Sequence, residues 1–176
     1  MRKLTLIAAA LILATPAFAQ SVGEKTGVNS VLGIAPSTQD FVTQAGASDM
    51  FEIQSSELVK SQDVDPKIKD FANQMIEAHT KTSSELKAMV DGGQVKATIP
   101  TEMSSAQKSM IEDLKGRKGA DLGDQYIDDQ VSAHKDAVSL FERYSEGGED
   151  PALKDWAGKT LPNLKHHLEL AQQLDK

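Results

Sequence analysis

The sequence predicts an all-α protein, a four-helix bundle made of two helical hairpins joined by a long crossover that carries a short extra helix. Three observations predict it. Apolar residues recur at three- and four-residue steps through four long stretches after about Thr38, and no stretch of useful length alternates as a strand does. Asp-Pro pairs open two of the stretches, and Gly-Gly pairs close two. The gaps between the first and second and between the third and fourth stretches are short, whereas the middle gap is long, a connectivity suited to a bundle with one crossover.

The N-terminus stands apart from the fold. Arg2 and Lys3 precede an apolar run, Leu4 to Ala14, that is short for a bilayer span, and Pro16 with Ala17-Phe18-Ala19 supplies a cleavage signature. We read residues 1–19 as a secretory signal peptide cut after Ala19, and residues 20–37, mixed in Gly, Ser, Asn and Pro without periodicity, as a flexible lead-in. Residues 38–176 form the bundle. No later run is apolar enough to span a membrane, so the mature chain is read without a span. The basic start and Ala-x-Ala cut point to the periplasm, with secretion beyond it as the alternative.

Four helices follow in order. The first, about 38–61, carries Phe41, Ala45, Ser48, Glu52, Ser55 and Val59 on a weak stripe rich in small residues. The second, about 66–91, has Asp65 as N-cap and Pro66 at the first helical position, where a missing N–H is harmless. Its stripe is Ile68, Phe71, Ala72, Met75, Ile76, His79, Ser83, Leu86 and Val90, and Gly92-Gly93 ends it. Residues 92–120 are the crossover, with a short helix over 105–115. The third helix, about 121–146, turns Ile127, Val131, His134, Val138 and Phe141 inward and stops at Gly147-Gly148. The fourth opens on Asp150-Pro151 and carries Leu153, Trp156, Ala157, Thr160, Leu161, Leu164, His167, Leu168 and Ala171, with Pro162 inside it as a source of a kink.

The hairpins echo each other. Asp65-Pro66, Lys69-Asp70 and Ala72 return 85 positions later as Asp150-Pro151, Lys154-Asp155 and Ala157. At the same offset Phe41 falls on Tyr126, Val42 on Ile127, Phe71 on Trp156, Ile53 on Val138 and Glu57 on Glu142. A good helix start explains the Asp-Pro pair alone. The in-step Lys, Asp and Ala are better explained by a duplicated hairpin and pseudo-two-fold symmetry.

Composition limits function. The formal net charge is −7, and removal of Arg2 and Lys3 makes it more negative, which argues against nucleic-acid and anionic-lipid partners. With no cysteine there is no disulfide, thiolate metal site, Cys nucleophile or lipidated cysteine anchor. No Ser-His-Asp spacing, phosphate loop or nucleotide fingerprint assigns a catalytic residue. Redox chemistry at a bound metal is the one enzymatic activity left to consider.

The histidines carry the chemistry. His79, His134 and His167 fall on apolar stripes, while His166, about 100° round the helix from His167, faces solvent. At roughly 1.5 Å rise per residue, their distances from the two Asp-Pro turns bring all three near mid-bundle, with Glu52 at a similar level. Glu52, His79, His134 and His167 thus form a candidate metal layer, a first shell suited to Fe, Zn, Mn or Cu, with Asp49, Gln130 and Met75 as secondary candidates. The alternative is a buried Glu–His hydrogen-bond network in a structural or interaction protein.

The stretches FANQMIEAH, YIDDQVSAH followed by KDAVSLFE, DPALKDWAGKTLPNLKHHLELAQ and DFVTQAGASDMFEIQSSELV resemble an exported bacterial ferritin-like family catalogued as a domain of unknown function. The resemblance covers about residues 38–174. It implies a ferritin-like four-helix bundle and places Glu52, His79, His134 and His167 on the family's motif positions, without an established activity. The chain departs from the di-iron pattern: Ile76, Val131 and Leu164 stand three residues before the histidines, where a Glu-x-x-His motif would have glutamate. Ferroxidase or iron-storage chemistry is therefore not expected, and a metal-binding bundle with a role in envelope metal handling or stress protection is our reading of the residues.

Overall fold

The computed structural model describes Ser21 and residues 27–175; the signal segment read over residues 1–19 lies outside them. Six helices run along the described residues: α1 (Val28–Val31), α2 (Thr38–Lys60), α3 (Pro66–Asp91), α4 (Ser105–Gly116), α5 (Gly119–Gly147) and α6 (Pro151–Leu174). The single turn of α1 falls within the stretch read as a lead-in. It lies against α5, where Ser30 Oγ meets Ser139 Oγ at 3.2 Å and the Arg143 guanidinium donates to the Ile34 carbonyl at 2.7 Å.

The helix starts follow local chemistry. The carboxylates of Asp65 and Asp150 accept backbone N–H groups of Lys67 and of Ala152 and Leu153, with proline at the first turn of both α3 and α6. Ser104 and Gln107 form a reciprocal capping box that starts α4. Gly92 caps α3, and Gly93 follows at φ +72°, a left-handed conformation open to glycine at no steric cost. α6 continues unbroken through Pro162.

The four long helices pack as a ring. α2 lies on α3 and on α5, and α6 lies on α5 and on α3. Two apolar clusters fill the ends. One gathers Phe41, Val42, Leu86, Phe141, Tyr144, Leu153 and Ala157. The other gathers Val59, Phe71, Met75, Leu114, Leu122, Tyr126 and Ala171. Each cluster joins the start of one helix to the end of its neighbour, so adjacent helices are antiparallel. The hairpin turns therefore lie at opposite ends of the bundle, and the crossover with α4 travels its length against α2.

Pseudo-symmetry appears in the aromatic packing. Phe41 meets Trp156 edge-on at 6.3 Å, and Tyr126 meets Phe71 edge-on at 6.2 Å. These four rings are the two pairs that exchange under the sequence repeat, which is what a two-fold relation between hairpins requires.

The crossover also explains the weak first stripe. α2 buries residues around most of its girth, including Val42, Gly46, Asp49, Phe51 and Ser56, because the chain after α3 covers the face that α3 and α5 leave free. A Cβ on Gly46 would lie 2.8 Å from Pro100 Cγ. Gly46→Ala is expected to lift the crossover and destabilise the fold by about 1–3 kcal/mol, read as a lower urea midpoint; an unchanged midpoint would show that the link yields freely.

Candidate metal centre

Between the two apolar clusters lies a polar layer at mid-bundle. α2 supplies Asp49, Glu52, Ser55 and Ser56, α3 supplies His79, α5 supplies Gln130 and His134, and α6 supplies His167. Glu52 is 1 % exposed, His79 3 % and His134 0 %; His167 is half-buried and His166 exposed. The hairpin turns sit at opposite ends, so the residues meet only because each lies near the middle of its own helix.

The structure brings the three predicted histidines together. Their ring centroids are 5.5 to 5.9 Å apart. One nitrogen from each of His79, His134 and His167 lies within 4.8 Å of the other two. Glu52 stands beside this set, its Oε1 3.6 Å from His134 Nδ1. That separation is too long for a hydrogen bond, and the proton of Nδ1 is directed elsewhere.

Each ring orientation has a cause. His79 Nδ1 lies 2.8 Å from Asp49 Oδ1, and Thr82 Oγ1 donates to both oxygens of the same carboxylate at 3.0 Å. His134 Nδ1 lies 2.9 Å from the Gln130 carbonyl, one turn earlier on α5. With Nδ1 donating in each case, the lone pair is left on Nε2. Carboxylates and backbone carbonyls orient metal-binding imidazoles in this manner.

The atoms left over are the informative ones. His79 Nε2, His134 Nε2, His167 Nδ1 and both carboxylate oxygens of Glu52 are buried with no hydrogen-bond partner. Orphaned polar atoms are rare in interiors and costly when left unmet. Gln130 Oε1 is also without a partner, while its Nε2 donates to Ser55 Oγ at 3.2 Å.

Electrostatics follow the same burial. Desolvation pushes the Glu52 carboxyl up to about 7, against the opposing pull of His79 and the Gln130 amide. Burial and the neighbouring charge of His79 hold His134 down to about 3. Burial, His79 and His166 bring His167 down to about 4. Burial acts to lower His79 too, but its bond to Asp49 and the charges of Glu52 and Asp49 outweigh this and raise it. Burial also raises Asp49, despite the favourable bond to His79. At neutral pH the layer therefore offers the lone pairs of His134 and His167 beside a carboxyl group poised to ionise, while His79 holds its proton more firmly than a free imidazole. A cation placed among them would stabilise the carboxylate and meet the unpartnered nitrogens.

Asp49, a secondary ligand candidate in the sequence, serves here as the partner that orients His79. The part of Thr82 was not foreseen; its place one turn after His79, on the same face, was the available signal. Gln130 contributes its backbone carbonyl to His134, and Met75 belongs to an apolar cluster. Among the described residues no helix is long and apolar enough to cross a membrane.

Comparison with known proteins gives no match among curated proteins and none among solved structures. A family model does match across residues 23–174, which include the bundle's polar layer, and the chain belongs to that family, described as Domain of unknown function (DUF4142).

Proposed function

We propose that this protein is an exported, ferritin-like bundle that binds one transition-metal ion, Fe, Zn, Mn or Cu, at the layer of Glu52, His79, His134 and His167. Its role is metal handling or stress protection in the bacterial envelope, with the periplasm as its compartment. The observation that carries this reading is the set of unpartnered buried atoms: one nitrogen on each of three histidines that come together from three helices, with the Glu52 carboxylate of a fourth helix beside them. A closed Glu–His hydrogen-bond network would pair these atoms with one another.

The donor set fits the group. Imidazole and carboxylate ligands suit first-row transition ions, and His79 and His134 carry the outer hydrogen bonds that such ligands need. With Asp49 held by His79 and Thr82, the layer leaves Glu52 as the one carboxylate for an ion rather than the several that bridge a pair of ions, which favours a mononuclear site over ferritin-type di-iron chemistry. The ion would supply positive charge and open coordination; the chain supplies orientation through Asp49 and Gln130 and a dry surround through the two apolar clusters.

Elemental analysis tests the reading. Protein purified from the periplasm, or refolded and dialysed against each metal, is expected to hold about one ion per chain. The His79→Ala/His134→Ala double variant is expected to hold none while remaining helical by circular dichroism. An unchanged metal content in that variant would sink the proposal.

A further inference from the structure

One side of the histidine layer is not closed by protein. A cavity of about 470 Å³ lies between α3 and α6 and is lined in part by His79, His167, Ala78, Thr160, Leu164 and Trp156. It reaches the two imidazoles whose inward nitrogens, Nε2 of His79 and Nδ1 of His167, have no partner. His79 is itself 3 % exposed, so the groove extends into the core rather than resting on the surface. A larger cavity of about 970 Å³ on the crossover side also meets His79, but no other histidine lines it, and Asp49, which binds Nδ1 of His79, is part of its wall.

The groove wall states what would fit. Trp156 Nε1 donates to Glu85 Oε2 at 2.9 Å, which ties the indole of α6 to α3 and fixes its plane. Ala78 and Leu164 add apolar surface. The charged residues on the wall balance, Glu77 and Glu85 against Lys81 and Lys159. Both lysines have an acidic neighbour, Lys81 with Glu85 at 3.9 Å and Lys159 with Asp155. The wall thus selects shape and apolarity, not charge. Charge selection falls to the inner end, where a divalent ion held by three neutral imidazoles and one carboxylate would keep a net positive charge and can accept a fifth ligand.

We infer that the α3/α6 groove admits a small monocarboxylate with a flat apolar body, its carboxylate at the open position beside His79 and His167 and its body against Trp156. This rests on the metal reading above. The centre is then an exchangeable ligand site rather than a sealed structural one.

The test uses 4-fluorobenzoate and the full mature chain, with and without one equivalent of Zn²⁺. Trp156 is the single tryptophan of the chain, so its emission reports the groove; ¹⁹F line broadening reports the probe. Saturable binding is expected in the Zn²⁺-loaded protein, at least tenfold weaker in the metal-free protein. It is also expected to be at least tenfold weaker in Ala78→Phe, which fills the groove while Zn²⁺ content stays unchanged. Equal binding with and without Zn²⁺ would reduce the groove to a site independent of the ion and overturn the inference. So would the absence of probe binding to protein that demonstrably holds Zn²⁺. If Ala78→Phe misfolds, Thr160→Leu serves the same purpose from α6, and unweakened binding in the folded variant overturns the assignment of the groove. Failure to take up Zn²⁺, or Fe, Mn or Cu ions offered in its place, overturns the metal reading itself, and the inference falls with it.

Discussion

Saturating the metal-free protein with its ion should raise the thermal unfolding midpoint by about 8–16 °C. Ligand at a thousand times its dissociation constant stabilises the native state by about 4 kcal/mol, and a chain of this size shifts by about 2–4 °C per kcal/mol. His134→Ala should abolish the shift, because that ring is one of three converging histidines and its Nε2 is unpartnered. The effect should depend on pH with a definite sign. The Glu52 carboxyl, pushed up to about 7 by burial, must lose its proton to act as a ligand. Affinity should therefore rise with pH through about 7 and level off above it. His134 and His167, held down to about 3 and 4 by burial, are already neutral across that range and add no slope there. His79, raised by its bond to Asp49, contributes in the same direction as Glu52. In Glu52→Gln the slope should decrease by one proton. Scanning calorimetry with each metal between pH 5.5 and 8.5 gives the answer, and a metal-independent midpoint in the wild type would refute it.

Glu52→Leu should stabilise the metal-free protein while removing its response to metal. The carboxyl is fully buried, and the pull of His79 and of the Gln130 amide does not offset its desolvation, so its ionisation is opposed by the fold. With the folded-state pKa raised from 4.5 to about 7, the unfolded chain loses its proton first, and stability falls as pH rises through that window. Removing the group should stabilise by about 2–3 kcal/mol at pH 8, or about 4–12 °C, and by less than about 1 kcal/mol at pH 5. A Glu–His hydrogen-bond network predicts the opposite, a loss of stability at both pH values from breaking satisfied bonds. Urea unfolding of the two proteins at the two pH values separates the readings.

Much of the bundle was legible because its signals are local. Asp65-Pro66 and Asp150-Pro151 start their helices where the sequence placed them, and Gly92-Gly93 ends α3. The start of α5 was read two residues late. Gly119 opens it after Lys118, which makes no side-chain cap, so nothing in the residue types marked the boundary. The turn at Val28–Val31 was missed for a related reason: four residues show no period, and the contacts to Ser139 and Arg143 that accompany this segment lie on α5. The inward faces of α3, α5 and α6 were readable from their stripes, whereas α2 was read as weak. It is weak because three sides of it are covered, so no single stripe describes its buried surface.

The sequence by itself determined the helices, their pairing into two similar hairpins, and the placing of Glu52, His79, His134 and His167 on inward faces near mid-helix. Helical period and rise are properties of the local chain, so such positions can be counted along it. Only the tertiary structure decided which nitrogen of each ring is free, that Asp49 orients His79 rather than joining the set, and that the α3/α6 seam stays open at the histidines. Those features depend on how neighbouring helices are rotated against one another, and on partners such as Asp49 and His79 that lie on different helices. No spacing within one helix encodes that rotation; it is settled by the packing of both end clusters at once.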